Sequence, residues 1–155
     1  MHPSISELVR VPLYPDLQDH SSVSEYPEVD GMRDRLYWLD HQVKEDAQNS
    51  QAISSSKTNS HEVEMVAALV SHLVKQGTYG HEDIAVLTPY LGQLQKLRKR
   101  LAKDFAIVVG DRDEDDLVAK GIEDDAVGVT TDLHVPVQKT TLLNALRIAT
   151  VDNFQ

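Results

Sequence analysis

Apolar residues recur along this chain with two periods, and the switches between them outline alternating helices and strands. Residues 60–76 carry the clearest helical signal. Val63, Val66, Ala67, Val70, Leu73 and Val74 share one face at i, i+3, i+4, i+7 spacing. Asn59 and Glu62 have capping-box spacing, and Gly77 stands where a helix C-terminus favours glycine. A short apolar run at 84–87 predicts a strand. Thr88 is then placed to cap a helix, with Pro89 in its first position and Leu91, Leu94, Leu97 and Leu101 on its inner face. Residues 105–109 and 146–151 read as further buried strands, and Asp152 as the cap of a following helix.

The remaining stretches are less regular. Residues 3–11 hold Ile5, Leu8 and Val9 at helical spacing, and Pro12 and Pro15 stop the helix. Residues 36–39 form a compact apolar run that predicts a strand. Residues 42–60, rich in Ser, Gln, Asn and charge, read as a mobile loop. Residues 110–134 are acidic, contain Gly121 and Gly128, and show no sustained period, which predicts a surface insertion that is at least partly disordered. The order of elements implies an α/β fold: a partial RecA-like parallel sheet flanked by helices, within one domain over residues 1–155.

Composition narrows the function classes. The absence of cysteine excludes disulfides, thiolate zinc sites and a cysteine nucleophile. No apolar run is long enough to span a bilayer and no signal pattern opens the chain, so a soluble, intracellular protein without membrane partners is expected. A net charge of −10 opposes a dedicated nucleic-acid binder, although Lys96, Arg98, Lys99, Arg100 and Lys103 make one helix basic. That face is solvated by default, and an electrostatic aid to nucleic-acid binding otherwise. Asp111, Asp113 and Asp115 suggest a calcium loop. The pattern fails because Asp116 occupies the glycine position and Ile122 the position of the bidentate glutamate. The histidines form no metal pattern, and no metal ligand is assigned.

Three stretches in order resemble the second RecA-like domain of up-frameshift-like superfamily 1 helicases. The first is Met1-His2-Pro3 followed by Ile5-Ser6-Glu7-Leu8-Val9. The second, Ile84 to Gln93, is similar to helicase motif IV, and the third, Ala149 to Gln155, is similar to the opening of motif V. Tyr14-Pro15, His20 to Val23 and Gly92-Gln93-Leu94 bring it nearest to the large zinc-finger-containing helicase-like proteins of RNA silencing and surveillance.

The resemblance implies a fragment of an ATP-dependent RNA or DNA helicase that steps along a single strand. It makes Thr88 and Thr150 contacts to the nucleic-acid backbone, with Thr88, Pro89, Tyr90 and Gln93 forming motif IV and Thr150, Asp152 and Gln155 motif V. Each has a structural alternative: a helix cap for Thr88 and Asp152, an exposed helix position for Gln93. No Gly-x-x-x-x-Gly-Lys-Ser/Thr phosphate loop occurs. The resemblance therefore implies that both ends cut through motifs, that no catalytic residue and no cofactor belong to this fragment, and that it is inactive alone. ATP and magnesium, the magnesium-binding motif, the arginine finger and the first RecA-like domain are expected of an intact parent. A nuclear location is slightly favoured over a cytoplasmic one by the same resemblance. The competing reading is a non-enzymatic module on a degenerate helicase half-domain, with the acidic insertion docking a protein partner.

Overall fold

A computed structural model describes residues 1–46, 56–122 and 145–154. The chain divides into two units, Met1–Gln42 and Val43–Gln155.

In the first unit, helix α1 spans Pro3–Arg10. Pro3 sits in its first turn, where a missing N–H costs nothing. His2 caps it, its Nδ1 accepting from the Ser4 amide at 3.3 Å. The buried Ser6 hydroxyl donates to Asp19 at 2.8 Å, and the Arg10 guanidinium bonds both Ser6 and Asp19. The Ser6 bond, with Arg10 behind it, holds Asp19 below its ordinary carboxylate pKa. His20 repeats the His2 cap on a 3-10 helix, Ser21–Glu25, accepting from the Ser22 amide at 3.2 Å. Residues 36–39 do not form the expected strand. Leu36, Tyr37, Trp38 and Leu39 are all exposed, Trp38 at 87 %. An apolar run predicts a strand only where a neighbouring strand takes up its backbone groups, and none does here among the described residues.

The second unit is a parallel α/β layer. Helix α2 spans Ser60–Lys75, strand β1 Ala85–Thr88, helix α3 Leu91–Leu101, strand β2 Ile107–Val109, helix α4 Asp111–Ala119 and strand β3 Leu146–Thr150. The sheet order is β1-β3-β2, so the last strand lies between the two earlier ones. β3 pairs in parallel with β1 through Ala85↔Arg147 to Thr88↔Thr150, and with β2 through Ile107↔Leu146 to Val109↔Ile148. The core joins Val63, Ala67 and Val70 of α2 to Leu91, Leu94, Leu97 and Leu101 of α3, with Val86, Leu146 and Ile148 of the sheet. The helical faces read from the sequence are thus the buried ones. Gly77 follows α2 with φ +80°, the left-handed conformation that glycine adopts without strain.

The structure adds detail to several expectations. The ends of the expected loop at 42–60 are tied together: Asp46 N–H donates to the Thr58 carbonyl at 2.8 Å, and Thr58 and Ser60 hydroxyls donate to the Asp46 carboxylate. Residues 47–55 lie outside the described residues. α3 begins two residues after Pro89, with Tyr90 at its N-cap. Thr88 is instead held as the last rung of β1, its carbonyl accepting from Val151 N–H at 3.1 Å. The expected insertion at 110–134 opens with a helix. Asp111, Asp113 and Glu114 in the first turn of α4 complement the positive end of its dipole, and Leu117 anchors it in the core. Two inward positions four apart are too few to register as a period, so the acidity masks this helix in the sequence. Residues 123–144, including the rest of that insertion, lie outside the described residues.

Candidate functional site

The ladder that pairs Thr88 with Thr150 brings the two motif-like stretches to the same end of the sheet. There the chain leaves β1 through Pro89 and Tyr90 into α3, and leaves β3 through a turn at residues 151–153, closed by Asn153 N–H to the Thr150 carbonyl at 3.2 Å. Between them lies a cleft of about 650 Å³. Its walls are Pro89, Tyr90 and Leu91 on one side, Asp116, Ala119 and Lys120 of α4 and its C-cap on another, with Ser56 and Lys57, and Thr150, Asp152 and Asn153 completing it. Ligands of open α/β sheets gather beyond the carboxyl ends of the strands, which is where this cleft sits.

The expected site residues do not all share it. Pro89, Tyr90, Thr150 and Asp152 line the cleft. Thr88 and Gln93 line a smaller cavity of about 160 Å³, with Glu45, Thr58, Asn59 and Glu62, which shares Lys57, Pro89 and Tyr90 with the cleft. Gln155 lies outside the described residues.

Local bonding defines what each residue offers. Thr88 is buried and its hydroxyl oxygen accepts from the Tyr90 amide at 3.3 Å, so its own proton remains to be donated. Thr150 differs. Its amide donates to Asp113 Oδ2 at 2.9 Å and its hydroxyl to Asp113 Oδ1 at 2.6 Å. Asn153 Nδ2 donates to the same Asp113 Oδ1 at 2.7 Å and to Asp116 at 3.3 Å. In this arrangement Thr150 and Asn153 present acceptors to the cleft, their donors being engaged. Burial raises the Asp113 pKa, but the bonds from the Thr150 hydroxyl, Asn153 and the Thr150 amide outweigh it and keep the group below its ordinary value.

Gln93 is neither an exposed position nor a bridge to open space. Its Oε1 accepts from Asn59 N–H at 2.8 Å, and its Nε2 donates to the Asn59 carbonyl at 3.1 Å and to Glu62 at 3.3 Å. Asn59 caps α2 as expected, accepting from His61 and Glu62 amides, but Gln93 rather than Glu62 takes the Asn59 N–H. The basic face of α3 is largely engaged by carboxylates. Lys96 meets Asp46 at 2.7 Å, Arg98 lies 3.7 Å from Glu114, and Arg100 binds Glu64 at 2.9 Å and Asp104 at 2.7 Å. The Lys96 bond lowers the Asp46 pKa to about 2.

Sequence reasoning missed Asp113, Asn153, Lys57 and Lys120. Asn153 lies inside the motif V-like stretch and could have been found there. Tertiary folding alone brings Lys57 and Lys120 to the cleft and sets Asp113 behind its wall. No group of three or more His, Asp and Glu among the described residues is placed to hold a metal ion, and none of the described helices is long and apolar enough to cross a membrane.

The model of one protein family, described as an AAA domain, matches residues 1–155. The chain belongs to this family, whose members are superfamily 1 helicase-like. It is 36% identical over 109 residues to an NFX1-type zinc finger-containing protein 1 of Mus musculus and to its Homo sapiens counterpart, and 34% identical over 106 residues to a homolog from Caenorhabditis elegans. Each match takes in 68% of this chain, and the chain spans only 4–5% of the length of these relatives. No solved structure matches the chain.

Proposed function

We propose that this helicase-family chain is part of the second RecA-like motor domain of an ATP-dependent helicase, and that its cleft meets the backbone of single-stranded RNA or DNA. The observation that carries the reading is the Thr88↔Thr150 register, which sets motif IV-like and motif V-like segments side by side at the carboxyl end of a parallel sheet. A half-exposed tyrosine on the cleft wall, Tyr90, offers a face on which a base can stack, and stacking tolerates any sequence. Lys57, which pairs with Glu45 at 3.1 Å, and Lys120 supply positive charge, offset by Asp116 and Asp152. Binding is therefore weak. ATP, magnesium and a first motor domain belong to the whole protein under this proposal, as does a role in RNA silencing.

Fluorescence anisotropy with a labelled single-stranded oligonucleotide tests it. Neutralising about two phosphates on a single strand gives a log–log salt slope near −1.4. The expected result is weak, salt-sensitive binding with little sequence preference, reduced by Thr88→Ala and Tyr90→Ala. Tight binding unchanged by Thr88→Ala, Tyr90→Ala and Thr150→Ala would place the site elsewhere.

A further inference from the structure

Asp113 is a carboxylate with no exposed surface, set in a segment whose composition reads as solvated. A buried charge persists only where hydrogen bonds replace its water. Among the described residues, the carboxylate accepts hydrogen bonds from one place, the strand end and turn that form the cleft wall: Thr150 N, Thr150 Oγ1 and Asn153 Nδ2, 37 to 40 residues away in the chain. None goes to the caps of its own helix. The anchoring of α4 to the core is a separate matter, met by Leu117 one turn on.

We propose that Asp113 is a positioning residue for the cleft, fixing the Thr150–Asn153 turn and setting which of its atoms face a bound strand. The proposal rests on the reading of the cleft as a nucleic-acid site. With the carboxylate in place, Thr150 and Asn153 turn lone pairs outward and cannot donate to a phosphate. Phosphate oxygens are then left to the lysines, while the turn accepts from hydroxyl or amino donors of the strand. Without it, the Thr150 hydroxyl is released to rotate, and the turn loses its shape as well as its hydrogen-bond polarity.

The test follows the amide proton of Thr150 and the side-chain amide of Asn153 by NMR in the full chain as pH falls from about 6 to about 2.5, across the carboxylate range. Asn153 also meets Asp116, so Thr150 is the specific reporter. Both signals are expected to move with one midpoint below the ordinary range of an aspartate, and Asp113→Asn is expected to abolish the Thr150 transition. In parallel, affinity for a ten-nucleotide uridine oligomer is expected to fall several-fold in Asp113→Asn and to recover in part in Asp113→Glu. A Thr150 signal indifferent to pH in the unsubstituted chain, which needs no variant to fold, would overturn the clamp. A titrating Thr150 with unchanged affinity in a folded Asp113→Asn would overturn the positioning role. If the unsubstituted chain does not bind the oligomer, the nucleic-acid reading itself fails and the positioning role with it, while the titration still decides the clamp.

Discussion

Gly92 lies in the first turn of α3, where the chain at Ser56–Thr58 crosses it closely. A Cβ there would stand 2.9 Å from Ser56 Cβ and 3.0 Å from Thr58 Cγ2. The Gly92 amide also donates to Ser56 Oγ at 2.8 Å. Gly92→Ala is therefore expected to destabilise by about 1–3 kcal/mol despite its better helix propensity, because one strand of chain must move. Equilibrium urea unfolding checks this, and a stabilised variant would show that the crossing is loose. Asp46 and Lys96 give a second residue-scale expectation. Asp46 has its pKa depressed from 3.8 to about 2, so its contribution is present above 3.8 and is lost as pH falls toward about 2. Lys96→Met is expected to weaken that acid dependence. An unchanged slope of stability against pH between those values would contradict the pairing.

At the scale of elements, one side chain of α3 closes the backbone at the start of α2. Gln93 satisfies both the N–H and the carbonyl of Asn59 at the start of α2. Gln93→Leu keeps volume but leaves the buried Asn59 N–H without its partner, while the Asn59 carbonyl keeps its bond from Val63 N–H at 3.2 Å, at a cost of about 1–3 kcal/mol. Thermal unfolding measures it, and a melting temperature equal to that of the unsubstituted chain would mean that water replaces the amide. This bond also marks the limit of what the sequence disclosed. The inner faces of α2 and α3 were legible because Val63, Ala67, Val70, Leu94, Leu97 and Leu101 keep one period throughout a long element. The three paired strands were legible to within two residues, as short apolar runs between turn signals. Residues 36–39 misled because an apolar run says nothing of whether a partner strand exists. α4 was missed because only Asp113 and Leu117 turn inward, and one of them is charged. Tyr90, Thr150 and Asp152 were found through a recognisable stretch, whereas Asp113 backs the cleft wall through Thr150 from 37 residues away and leaves no local sign.

For the whole molecule, the charge and the site pull in opposite directions. A net charge of −10 repels a polyanion at long range, and salt screens that repulsion beyond about 10 Å at 0.1 M. Under the proposed function, Lys57, Lys120 and Tyr90 would act at contact distance inside the cleft, so that position rather than total charge decides where a strand is held. The basic helix α3 is the natural competitor: its Lys96 and Arg100 are paired with carboxylates, as Lys57 of the cleft is with Glu45. Photocrosslinking of the full chain to a single-stranded oligonucleotide carrying 4-thiouridine, with adducts located by mass spectrometry, separates the two surfaces directly. The account predicts adducts at Tyr90 and in peptides containing Lys57 or Lys120, reduced by Tyr90→Ala. Adducts confined to residues 96–103, with none at the cleft, would contradict it.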